Sequence, residues 1–341
     1  MALTLAGNTL LALAVYLLAG VGERFAAAPL VSSVWPVAGL ALGAVVVGGQ
    51  RLLPGVFAGM LAHAVGLGLG PAAALVAALG QTAAASAGAV VTRRVTRFDP
   101  AMSRISDIAA LVLAGGAVTA IVGALAMEAA LAVSAQGLPP RPLLTLAVGF
   151  LGGLLGAITM APAAAGWPAR SRGDTGQAIG VGLVAVLAGL FSYAIFSDEL
   201  VEFVSTSALQ ILLFPVLAWA ALRFRPGEVA VTSLAAAAGA VAGLIIGGKA
   251  LLAVGTISTL HVFVAAISLT TLTLSALRVQ RLAAETALRR SEARFRMLTE
   301  LSADWFWEQD DQFRMTAVMA GARAMSRIDH GRSLGKARWE L

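Results

Sequence analysis

The 341-residue chain has no cysteine, which excludes disulfides, thiolate metal sites and a cysteine nucleophile. Ionisable side chains are scarce: 12% of residues are Asp, Glu, Lys or Arg, against about 25% in a soluble domain. With 59% of its residues hydrophobic, the chain is no ordinary water-soluble fold. Only three histidines occur, His63, His261 and His330, far apart in sequence, and there is no HExxH, GxSxG or P-loop string. No catalytic residue, metal ligand or cofactor is therefore assigned. The net charge of +6 does not point to nucleic acid, because the arginines are spread over short loops and a balanced tail instead of gathering on one face.

The charge that is present falls unevenly. Residues 1–277 hold 12 basic and 9 acidic side chains, and residues 278–341 hold another 12 and 9. An apolar body precedes a charged tail. A helix needs roughly 20 mostly apolar residues to cross a bilayer, where no water satisfies an unpaired backbone group. Runs without charge, save for Glu128 in the fifth, supply ten candidates: 3–22, 34–49, 52–69, 71–92, 108–135, 143–165, 178–196, 203–222, 229–247 and 250–277. The second and third are short, and only Gln50 and Arg51 separate them, so 34–69 reads either as two spans or as one re-entrant hairpin. The expected fold class is an all-α polytopic membrane bundle of 8–10 transmembrane helices in a lipid bilayer.

Lys and Arg in short loops face the cytoplasm. With the amino terminus inside, ten spans place Arg51, Arg93, Arg94, Arg97, Arg104, Arg170, Arg172, Arg223 and Arg225 on the inner side, and Arg24, Arg141 and Lys249 on the outer side. Both termini are then expected in the cytoplasm. Ala26–Ala28 resembles a signal cleavage site, but residues 1–22 contain no Lys or Arg, so the first span reads as a retained helix.

Glycines four apart let helix backbones approach closely in lipid. The pairs are Gly39 and Gly43, Gly55 and Gly59, and Gly152 and Gly156, with a triple at Gly239, Gly243 and Gly247. Pro36, Gly39, Gly43, Pro54, Gly55 and Gly59 read as a helix-packing motif. Trp favours the membrane interface and Pro suits a first helical turn, so Trp35-Pro36 reads as the entry of the second span from the outer side. Ionisable groups within spans are costly and point to function. Counted from the span starts, Glu128 falls near the outer interface, where solvation would suffice, while His63 and His261 fall nearer the middle. Each histidine reads first as a hydrogen-bonded core residue, and Gln81 as an interhelical packing amide. The functional expectation is that Trp35, His63 and Glu128 border an outward-facing pocket for a small ligand or a partner membrane protein.

The string Val34-Trp35-Pro36-Val37-Ala38-Gly39-Leu40-Ala41, the turn Gly48-Gly49-Gln50-Arg51 and the string Leu53-Pro54-Gly55-Val56-Phe57-Ala58-Gly59 resemble the bacterial integral-membrane sensor domain MASE1. Val37 departs from it, standing where that family often has a second proline. The resemblance covers roughly residues 5–277. It implies an apolar input module of a histidine kinase, diguanylate cyclase or cyclic-di-GMP phosphodiesterase in the inner membrane. In the tail, Ser291–Leu301 and Asp304-Trp305-Phe306-Trp307-Glu308 are similar to the opening of a PAS domain, and Gly331–Leu341 to a later PAS turn. The 51 residues from 291 to 341 are about half of an ordinary domain, so the PAS segment is expected to be incomplete. Between the two, Arg281, Ala284, Leu288, Ser291, Phe295 and Leu298 follow the seam of a two-stranded coiled coil. The expected layout is a sensor domain at 1–277, a signalling helix at 278–300 that pairs two copies, and a PAS segment at 291–341. The rival class is a transporter or channel, although no convincing repeat relates spans 1–5 to spans 6–10.

Overall fold

A computed structural model describes residues 2–28, 31–95, 97–135, 137–166, 175–197, 206–248, 254–301, 305–320 and 334–340. The chain divides into two compact units, Met1–Val279 and Gln280–Leu341.

The first unit is helical. Its helices are α1 (Ala2–Glu23), α2 (Pro36–Gly48), α3 (Leu53–Gly66), α4 (Pro71–Val95), α5 (Ile105–Ala109), α6 (Gly116–Ala132), α7 (Pro142–Gly166), α8 (Thr175–Phe196), α9 (Thr206–Arg223), α10 (Pro226–Ile246) and the beginning of α11 (Val254–Leu301). A π-helical stretch, Ala110–Gly115, joins α5 to α6, so the two run on as a single span. Proline opens α2, α4, α7 and α10, where its missing N–H costs nothing. Buried acids start two helices: Asp107 Oδ2 accepts the Arg104 N–H at α5, and Glu228 Oε2 accepts the Arg225 N–H at α10.

Among the described residues, seven helices are long and apolar enough to cross a membrane. The chain is a multi-pass membrane protein with an all-α bundle. Its large apolar side chains, such as Leu10, Leu143, Ile179 and Leu187, point outward, whereas the interior is rich in alanine and glycine. Lipid tails are as apolar as leucine, so nothing drives large side chains inward, and small residues let the backbones close up. At 13 and 14 residues, α2 and α3 are about 20 Å long, short of the roughly 30 Å that a spanning helix covers.

Contacts across the bundle fix the helix directions. Asn8 bonds the start of α3, its Oδ1 accepting from Gly55 N at 2.7 Å and its Nδ2 donating to Arg51 O at 3.0 Å. Arg93 at the end of α4 donates to Val46 O at the end of α2. Gly166 closes α7 against Gly227 at the start of α10, and Ser275 on α11 donates to Phe224 O after α9. Successive spans therefore alternate, and within this unit the amino terminus and Val279 lie at the same end.

Glycine lies at the closest seams. A side chain on Gly39 would overlap the Gly156 carbonyl of α7, and one on Gly43 would stand 2.7 Å from Ala161 O. On α3, a Cβ at Gly55 would lie 2.6 Å from Asn8 O, and one at Gly59 would lie 2.5 Å from Ala12 O.

In the second unit, after the remainder of α11, β1 (Trp305–Gln309) pairs antiparallel with β2 (Met315–Ala320). Asp310 builds the turn, its Oδ1 accepting the backbone N–H groups of Gln312 and Arg314. Gly335 and Lys336 then bond Met315, continuing the pairing along β2. Gly331–Ser333, part of the segment read as a later PAS turn, lie outside the described residues.

Candidate sensory site

The chain between α1 and α2 does not stay at the membrane surface. Residues Ala26–Ala28 and Val31–Ser32 form a short antiparallel ribbon, and Phe25, Val31, Ser32, Ser33, Val34 and Trp35 are all buried. Non-helical backbone at membrane depth is tolerated only where protein satisfies it. Here the Phe25 N–H donates to Gly22 O, Ser33 N–H to Phe25 O, and Trp35 N–H to Gly152 O at 3.2 Å. The Ser32 hydroxyl donates to Gly22 O at 2.6 Å. Gly152 leaves room for this, since a Cβ there would overlap the Ser32 carbonyl.

Trp35 is consequently no interfacial anchor. It is 4% exposed and bonded ten residues into α7, about 15 Å from that helix's start. The interfacial preference of tryptophan is overridden because the ribbon carries it into the bundle. Pro36 does open α2.

His63 also differs from expectation. Because α3 ends at Gly66, His63 sits in its last turn instead of mid-span. The ring is 6% exposed, its Nε2 lies 3.5 Å from Glu23 Oε1, and it packs edge-on against Tyr16 with ring centres 6.1 Å apart. The Trp35 ring lies 6.4 Å away on another side. A side-chain cluster thus gathers the end of α1, the end of α3 and the start of α2.

Behind Trp35 a crevice of about 10 Å³ is lined by Ser32, Gln81, Thr119 and Met127 among others, room for about one water-sized group. Gln81, read as a packing amide, is buried in its wall. Trp35 Nε1 is buried without a hydrogen-bond partner among the described residues. A buried donor left unpaired costs about 1–3 kcal/mol, so this N–H is the group in the cluster most in need of an acceptor.

Glu128 is not brought against Trp35 or His63 by any contact among the described residues. It is half-buried on α6, one residue beyond Met127, and its Oε1 accepts from Thr145 Oγ1 at the start of α7. It is therefore held by protein, not simply solvated. Its Oε2 is buried without a partner among the described residues. His261 bonds Ile257 O of its own helix through Nδ1 at 2.7 Å, away from the cluster.

Glu23 and Tyr16 were not singled out by sequence reasoning, yet a signal for them exists. Asn8 meets Gly55, Ala12 meets Gly59 and Tyr16 meets His63, a constant offset along two parallel helices. His63 occupies the next step of the Gly55, Gly59 stripe, and Glu23 follows Tyr16 by seven residues on the same face.

No group of three or more metal-ligating side chains occurs among the described residues. The MASE1 family model matches residues 7–286. The chain belongs to the MASE1 family. MASE1 is a membrane sensory domain, and the match takes in the whole Met1–Val279 bundle except its first six residues. No curated protein and no solved structure matches this MASE1 chain.

Proposed function

We propose that this MASE1 bundle is the input module of a bacterial inner-membrane signalling protein, with both termini in the cytoplasm. It perceives a small ligand or a partner membrane protein at the cluster around Trp35 and His63, with Glu128 near the end of α6 as a separate contributor. Supporting the orientation, the end that carries Arg51, Arg93, Arg94 and Arg225 is the more basic one. The observation that carries the site is the unpartnered Trp35 Nε1 within a buried, non-helical segment. A ligand that offers an acceptor there would favour one packing of the ribbon over another, and a sensor works by such a population shift.

The output path is α11, which continues without interruption from the bundle to Leu301. On it Leu288 and Leu298 are exposed along the proposed seam, and a second copy would cover them as a two-stranded coiled coil. The strand pair after the helix is the opening of a PAS domain that relays the shift to a diguanylate cyclase, phosphodiesterase or histidine kinase domain. Light scattering of the purified chain in detergent should give two copies, and Leu288→Glu one; a wild-type monomer would sink the dimer.

The site itself is tested with Trp35→Ala, His63→Ala and Glu128→Ala in the full-length protein, recording signalling output with and without stimulus. Loss of the stimulated change, with normal membrane levels, is expected for the first two and a weaker response for the third. An unchanged response in all three would overturn the site.

A further inference from the structure

A second cavity, of about 300 Å³, lies between the two packed cores of the membrane unit and shares a wall with the sensory cluster. Its sides come from α1 (Leu18), Val34 just before α2, Pro36 at the start of α2, α7 (Met160), α10 (Val241) and α11 (Leu260). Thr159 is the one lining side chain with a polar atom, and its hydroxyl donates to Leu155 O of its own helix at 2.9 Å. The cavity thus offers an occupant no free side-chain hydrogen-bond donor. From Leu234 to Ile245 it follows α10 for about 17 Å as an elongated apolar trough. A run of that length with an apolar lining suits an extended hydrocarbon chain.

We infer that this cavity binds a single hydrocarbon chain, either the tail of a bilayer phospholipid or that of a free long-chain amphiphile. Membrane embedding places such chains at its mouth, and their transfer between bilayer and cavity costs no exposure to water. The position gives the chain a consequence. Val34 and Pro36 face this cavity while Trp35 between them lines the small crevice, so one short segment separates the two. The opposite wall is α11, through Leu260 and Val264. An occupant therefore touches both the ribbon that holds Trp35 and the helix that leaves the bundle. Occupancy sets how firmly those two are coupled.

The test uses the whole chain in phosphatidylcholine nanodiscs doped with diazirine-bearing palmitic acid, or with phosphatidylcholine carrying the same diazirine in its tail. After photolysis, adducts are mapped by peptide mass spectrometry. Peptides holding Met160, Val241 and Leu260 should be labelled about tenfold above the outward-facing Leu183 and Leu187 of α8, one decade of relative occupancy. Ala238→Trp and Val241→Trp, which fill the cavity from α10, should remove that excess and leave α8 labelling unchanged. Labelling by the free acid alone identifies a free amphiphile, and labelling by both identifies bilayer chains. Equal labelling of lining and outer residues in the wild type overturns the inference, whether or not the tryptophan variants fold. The readout does not pass through signalling output, so it stands or falls separately from the Trp35 site.

Discussion

The pairs α1–α3 and α8–α10 are both parallel, and both are drawn together by contacts four residues apart. On α10 the series is Gly239 against Gly189, Gly243 against Tyr193 and Gly247 against Ser197. On α3 it is Gly55 against Asn8 and Gly59 against Ala12, and then His63 against Tyr16. Where the C-terminal pair keeps a glycine at the third step, the N-terminal pair places an imidazole there. The backbones remain apposed at Gly247, whereas at His63 the space between helices is filled by Tyr16, Glu23 and Trp35. One packing device serves both halves, and its interruption is where polar chemistry collects. Such an interruption is costly in lipid and persists where a task needs it.

The largest effect should come from breaking the device where the pairs agree. Gly59→Leu and Gly243→Leu each force a side chain into a neighbouring backbone: Ala12 O is 2.5 Å, and Tyr193 O 2.6 Å, from the Cβ position. Overpacking of this kind costs about 1–3 kcal/mol. Thermal unfolding in detergent should show both variants lowered by several degrees, by similar amounts, at about 2–4 °C per kcal/mol for a domain of this size. A drop for only one of them would mean that the seams are not equivalent.

Much of this organisation can be read from the sequence. Each of the ten charge-poor runs coincides with an apolar helix, because the energetic penalty for burying charge in lipid leaves a sharp signal. The four-residue glycine spacing is visible too, but not which helix each stripe meets. The ribbon at 26–32 was not legible: its alanines and valine look like loop or span, and only the tertiary partners Gly22 and Gly152 explain its burial. Trp35 was misplaced for that reason. Glu23 was not singled out because its partner, His63, lies 40 residues away and enters its neighbourhood only through the parallel packing of α1 and α3. Glu128 was sorted by depth alone, which says nothing of Thr145.

The smallest stability effect should come from the finest change within the cluster. Trp35→Phe keeps an aromatic ring against His63 and removes the indole N–H, which has no partner among the described residues. Loss of an unpaired donor relieves a desolvation cost, while the smaller ring forfeits some packing, so the net change should be within about 1 kcal/mol. Thermal unfolding should then barely distinguish the variant from the wild type, in contrast to the two glycine replacements. Its response to stimulus in the full-length protein should nonetheless fall to that of Trp35→Ala. Should Trp35→Phe respond as the wild type does while Trp35→Ala fails, the ring and not the N–H is what the cluster uses. The comparison between the helix pairs would then turn on shape, with Trp35 and His63 acting as a wedge where Gly247 permits contact.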